Sequence, residues 1–90
     1  MNKHQAFIAM QRKLYDNLVE EQGSETCAIC GKEPKTRRLD IDHDHRTMVV
    51  RGLLCHRCNR KLPYDATVEW LRAAIVYLED PPIQSGEVAA

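Results

Sequence analysis

Two C-x2-C pairs, Cys27/Cys30 and Cys55/Cys58, stand 24 residues apart in a chain of 90 residues that has no other cysteine. A chain this short buries only a modest core, and small domains commonly need a metal, a disulfide or a partner as well. A two-residue gap lets both sulfurs of a pair point to one tetrahedral centre about 2.3 Å away. The amino terminus, Met-Asn-Lys-His-Gln, lacks the apolar stretch of a secretory signal, and no apolar run approaches the roughly 18 residues of a membrane span. An intracellular protein with no membrane partner is expected, in which paired thiols serve as metal ligands rather than disulfides. Four thiolates leave no open coordination position, so Zn²⁺ bound there is structural.

The cysteine pairs enclose Leu39-Asp40-Ile41-Asp42-His43-Asp44-His45, and Asn59 follows directly on Cys58. This second set is chemically different. The Asp42 carboxylate and the Asn59 amide oxygen are hard donors that suit Mg²⁺ or Mn²⁺, ions that keep several waters and accept phosphate oxygens. A neutral imidazole at His43 can take a proton from an attacking water. Neighbouring strand residues face opposite sides, so Asp42 and His43 share one site only at a twisted strand end or a bulge. His45 reads as a ligand, a phosphate contact or a turn residue. Taken singly, Asn59 reads as a helix cap, and His4 and His56 as solvated side chains.

Formal net charge is zero, but its distribution is uneven. From Gly31 to Lys61 there are nine basic residues, Lys32, Lys35, Arg37, Arg38, Arg46, Arg51, Arg57, Arg60 and Lys61, against four acidic ones. This +5 segment surrounds the cysteines and the Asp-His run, as a polyanion face requires, and the rest of the chain carries −5.

Periodicity predicts a helix over 4–22, with Phe7, Met10, Leu14 and Leu18 as its apolar stripe, widened by Ile8, Tyr15 and Val19, and Gly23 as its stop. Residues 39–43 and 48–53 read as two short strands joined by a turn, and a short helix is expected near Cys58, limited by Pro63. Asp65 or Thr67 caps a last helix over 66–79, whose stripe is Val68, Leu71, Ile75 and Leu78; Pro81-Pro82 ends it. These elements predict a small α+β fold: one domain over 1–80 and a disordered tail over 81–90. Each terminal helix has an apolar stripe too large for so small a centre. They are expected to pack on each other or on a second subunit, giving a homodimer.

Cys27-Ala-Ile-Cys-Gly, then Leu39-Asp-Ile-Asp-His-Asp-His-Arg-Thr, then Val50-Arg-Gly-Leu-Leu-Cys-His-Arg-Cys-Asn-Arg-Lys-Leu resembles the phage recombination endonuclease VII family. These are HNH nucleases with a ββα-metal, or His-Me finger, centre. The flanks Leu14-Tyr15-Asp16 and Val68-Glu69-Trp70-Leu71 are similar too, so the resemblance covers about residues 14 to 79. It implies structural zinc on Cys27, Cys30, Cys55 and Cys58, and a catalytic Mg²⁺ or Mn²⁺ on Asp42 and Asn59. It also implies His43 as general base, with His45 assisting at the phosphate and Asp40 or Asp44 orienting an imidazole. The implied substrate is DNA, including branched DNA such as a Holliday junction, in the cytoplasm of a phage-infected bacterium. Three positions depart from the family pattern. Met48 stands where Gly usually follows the turn Thr, Pro63 stands where Gly is common, and Leu62 occupies the region of an acidic residue.

Three other readings remain at this level. A general DNA nickase of the same fold would use the same residues. A non-catalytic zinc module that binds nucleic acid would keep the cysteines and the basic loop without needing Asp42, His43 and Asn59 together. A protein-interaction knuckle would use the apolar helices and make the basic segment incidental.

Overall fold

The computed structural model describes residues 2–89. Helix α1 (Lys3–Gln22) is followed by a two-stranded antiparallel sheet of β1 (Asp40–His43) and β2 (Val50–Leu54), then by α2 (His56–Lys61) and α3 (Val68–Glu79). Local chemistry explains the helix ends. The Asn2 side chain and Gln5 form a reciprocal capping box at the start of α1, and Gly23 closes it in the left-handed conformation at φ 94°. Thr67, not Asp65, caps α3 by accepting from the Trp70 N–H at 3.1 Å.

The core is small and central. Leu53, Cys27, Leu54, Tyr15 and Leu39 are buried, and Leu18, Val19, Ile41, Cys55, Cys58 and Leu62 pack around them. The Tyr15 hydroxyl donates to Glu25 Oε2 at 2.7 Å and accepts from the Leu39 N–H at 3.3 Å, tying α1 to both the first knuckle and β1. Gln22 is a second tie: its Oε1 accepts from the Leu53 N–H at 2.8 Å and its Nε2 donates to the Thr26 carbonyl at 2.7 Å.

Of the two expected arrangements, packing of the terminal helices on each other is not what the chain adopts. α1 rests on β2 only through its last turns, and α1 and α3 make no extensive contact with each other. Phe7, Met10 and Leu14 of the expected stripe are exposed, as are Val68, Ile75 and Leu78 of α3. The part of the α1 stripe that packs on the core is Tyr15, Leu18 and Val19. The reason is reach: a helix of about 30 Å spans far more than a five-residue strand can cover. The radius of gyration is accordingly 18.0 Å, against about 12 Å for a compact chain of this length. Among the described residues no helix is long and apolar enough to cross a membrane.

Candidate active site and metal centre

Each cysteine pair forms the same local turn. The Cys30 N–H points to Cys27 Sγ at 3.5 Å, and the Cys58 N–H to Cys55 Sγ at 3.3 Å. Gly31 takes φ 78° and donates its N–H to the Cys27 carbonyl at 2.8 Å, the left-handed step that closes the first turn. The second pair belongs to a helix, with Cys55 as the N-cap of α2 and Cys58 inside it. A hydrogen bond from the Ala28 N–H to the Leu53 carbonyl, 2.9 Å, docks the first turn on β2. All four sulfurs thereby lie within 4.8 Å of one another.

The donor set fits Zn²⁺. Tetrahedral sites with 2.3 Å Zn–S bonds place sulfurs about 3.8 Å apart, and Cys30 Sγ lies 3.8 Å from Cys55 Sγ. Crowding also splits the thiols electrostatically. Burial opposes ionisation of Cys27, but N–H groups of Cys30, Cys55 and Ile29 outweigh it and hold its pKa down to about 6. A hydrogen bond with Cys55, then burial and the other sulfurs, push Cys58 up to about 12. A divalent cation relieves that repulsion and lets all four bind as thiolates.

The sheet carries the second constellation. Asp40 pairs with Leu54, Ile41 with Leu53 and Asp42 with Gly52, after which the register breaks and His43 pairs with Val50. Arg51 is therefore the extra residue of a bulge, a device that re-aims side chains. The bulge falls between Asp42 and His43, the point at which two adjacent strand residues can serve one site. By alternation Asp40 and Asp42 share a face of β1.

On that face, Asn59 Nδ2 of α2 donates to Asp40 Oδ2 at 3.1 Å, and His56 Nδ1 lies 3.0 Å from the same oxygen. Arg37 pairs with Asp40 Oδ1 at 2.8 Å. Burial opposes the Asp40 charge, but the bonds to His56 and Asn59 and the Arg37 guanidinium hold its pKa below the usual value. Asp42 is nearly buried and receives Arg51 in bidentate fashion, Nε to Oδ2 at 2.8 Å and Nη2 to Oδ1 at 3.0 Å. The His43 and His45 rings lie 4.8 Å apart, and Tyr64 meets His45 edge-on at 6.0 Å.

The expected site residues thus fall into three contact groups, with no side-chain hydrogen bond or ion pair linking Asp42, His43 and Asn59 to one another: Asp42 with Arg51, His43 with His45, and Asn59 with Asp40. Asp44 is a turn residue. Its Oδ1 accepts from the Arg46 and Thr47 N–H groups at 2.7 and 3.1 Å, and these bonds lower its pKa. The turn ends at Met48, which has φ 64° and is the one described non-glycine residue with positive φ. His56, read as solvated from sequence, is half exposed but bonded to Asp40. That partnership, and the Asp42–Arg51 pair, were missed because both depend on strand register. The Asp40/Asp42 alternation was the available signal.

The basic residues sort into bound and unbound. Arg37 and Arg51 pair with carboxylates, and Arg38 lies 4.4 Å over the Tyr15 ring. Lys32, Lys35, Arg37 and Arg38 line one depression and Arg57, Arg60 and Lys61 another, with His56 common to both. Arg46 is exposed on the hairpin turn.

The family model described as recombination endonuclease VII matches residues 1–80. The Gene 59 protein of Mycobacterium phage D29 is 45% identical over 71 residues, covering 76% of this chain and 42% of that protein. The Gene 59 protein of Mycobacterium phage L5 is 44% identical over 71 residues, covering 76% of this chain and 43% of that protein. The chain thus spans about two fifths of the length of these curated relatives. No solved structure gives a significant match. With nearly its whole length matched by one family model, the chain belongs to the recombination endonuclease VII family.

Proposed function

We propose that this chain is a divalent-metal-dependent HNH endonuclease that hydrolyses phosphodiester bonds in DNA, with branched DNA as its preferred substrate. The observation that carries this reading is the bulge between Asp42 and His43, on a strand whose first residue, Asp40, accepts a hydrogen bond from Asn59. Asp42 and Asn59 would hold Mg²⁺ or Mn²⁺. The fit rests on their chemistry: Asn59 has committed its Nδ2 to Asp40, leaving Oδ1 as a hard donor, and Asp42 already attracts a cation in the form of the Arg51 guanidinium. A bound divalent ion would stabilise charge building on the phosphate and on the departing 3′-oxygen.

The remaining roles belong to side chains. His43 takes the proton of the water that attacks phosphorus, and His45, beside it, contacts a phosphate oxygen. The bond to the 3′-oxygen breaks and that oxygen takes a proton from solvent water, giving a 5′-phosphate and a 3′-hydroxyl. Arg51, if released from Asp42, would be free to pair with a DNA phosphate. The two basic depressions joined at His56 would follow the DNA backbone, with Lys32, Lys35, Arg57, Arg60 and Lys61 giving a salt-dependent affinity. The exposed apolar stripes of α1 and α3 favour a homodimer that covers them.

The test is cleavage of supercoiled plasmid, linear duplex and a four-way junction in Mg²⁺ or Mn²⁺, beside His43→Ala and Asn59→Ala. Both variants are expected to lose at least about 100-fold in rate, the usual scale of an acid–base group, with zinc content unchanged. Equal cutting by wild type and His43→Ala would sink the mechanism. Equal rates on junction and linear duplex would make the enzyme a general nickase.

A further inference from the structure

We propose that Asp40 is a positioning residue that fixes which end of the Asn59 amide faces the cation site. The inference rests on the reading of Asn59 as a ligand.

An asparagine amide has two ends of opposite polarity, and only its oxygen binds a hard cation. Rotation about its last torsion is soft, so a free Asn side chain presents either end. Asp40 Oδ2 lies 3.1 Å from the amide nitrogen. An ionised carboxylate only accepts hydrogen bonds, so it holds the NH₂ end and rejects the oxygen. The polarity of this contact is thereby set by chemistry as well as by coordinates. The opposite end, Oδ1, is left as the free donor.

Asp40 is itself held. Arg37 binds its Oδ1 at 2.8 Å and His56 Nδ1 its Oδ2 at 3.0 Å, and its side chain is 17% exposed. With both oxygens engaged, Asp40 is committed as an acceptor. Its neighbours come from two places: Arg37 from the loop before β1, and His56 and Asn59 from α2. The zinc turn that contains Cys58 sets the position of Asn59, and Asp40 sets its orientation.

The experiment is Mn²⁺ titration by calorimetry on the zinc-loaded full chain without DNA, comparing wild type, Asp40→Ala, Asp40→Asn and Asn59→Ala. Asp40→Ala is expected to weaken Mn²⁺ binding about 10- to 100-fold, the usual effect of losing a partner that orients a ligand. Asp40→Asn retains one acceptor oxygen and is expected to lose clearly less. In the wild type, one Nδ2 proton of Asn59 should resonate downfield of a free amide and exchange slowly by NMR. Free-amide shifts there would overturn the proposal without any variant. If alanine prevents folding, Asp40→Leu, similar in size and without an acceptor, takes its place. Wild-type affinity in Asp40→Ala with weakened Asn59→Ala would overturn the positioning role and leave the ligand assignment standing. Wild-type affinity in Asn59→Ala would remove the ligand assignment itself. Equal losses in Asp40→Ala and Asp40→Asn would mean that charge acts and not the hydrogen bond, which also overturns it.

Discussion

The centre of this molecule and its terminal helices are built on opposite terms. Around the sheet, five short stretches of chain converge so tightly that Leu53 is fully buried and Cys27 is 2% exposed. In α3 no residue is buried, and in α1 only Tyr15 is. Both helices have good caps and apolar stripes, so local propensity does not separate the regions. What separates them is cross-linking: sulfurs, side-chain ties and a two-stranded ladder hold the centre, whereas the helices extend past anything able to cover them. The lesson is that a small domain spends its few long-range contacts where chemistry must be held rigid.

Removing zinc is the strongest way to break that contrast. Stripping the metal with a strong chelator, or Cys58→Ser, is expected to abolish cooperative unfolding of the centre, because binding energy at such a site is folding energy. Far-ultraviolet circular dichroism should then retain at most part of the helical signal, and a cooperative transition surviving zinc removal would show that the core holds without it.

The second test sets Leu53 against Leu78. Leu53→Ala should cost about 2–5 kcal/mol in denaturant unfolding, as for other buried leucines, whereas Leu78→Ala in a monomer should stay within about 0.5 kcal/mol. A larger Leu78 effect, together with a melting temperature that rises with protein concentration, would mean that a second copy covers the helix.

Tyr15→Phe probes the tie between the regions and should cost about 1–2 kcal/mol, since it removes two hydrogen bonds at a buried hydroxyl. Burial and the Glu25 carboxylate raise the Tyr15 pKa above 10.0. A raised folded pKa gives stability that is complete below the unfolded value and lost as pH rises through the folded one. The difference between wild type and Tyr15→Phe should therefore be constant near neutrality and shrink in alkali.

The smallest effect is a gain. Met48→Gly should stabilise the hairpin by up to about 1 kcal/mol, because a side chain at φ 64° pays a steric cost that glycine avoids. A loss would show that Met48 makes contacts that outweigh the strain.

Much of the centre was legible in the chain. The spacing of Cys27, Cys30, Cys55 and Cys58 is a local property of two turns, and each turn forms with its own N–H to sulfur bond. The alternation Leu39-Asp40-Ile41-Asp42 announced β1, whereas the positive φ of Met48 came from the structure alone. What was not legible depends on register and reach. Whether Asp42 meets Arg51, or Asn59 meets Asp40, turns on one bulge and on where α2 crosses the sheet. The apolar stripes of α1 and α3 state that the helices are amphipathic. They do not state that Phe7, Met10 and Ile75 remain exposed.

By itself, then, the sequence determined the chemistry present and its local geometry: two cysteine turns, an Asp-His strand, an amide beside the last cysteine, and helices with their caps. These follow from interactions within a few residues, which spacing encodes directly. Only the tertiary structure decided the pairings across the sheet, the contact of Asn59 with Asp40, and how little of each terminal helix is covered. Those outcomes join residues far apart in the chain, and they depend on a one-residue shift in register that no periodicity specifies.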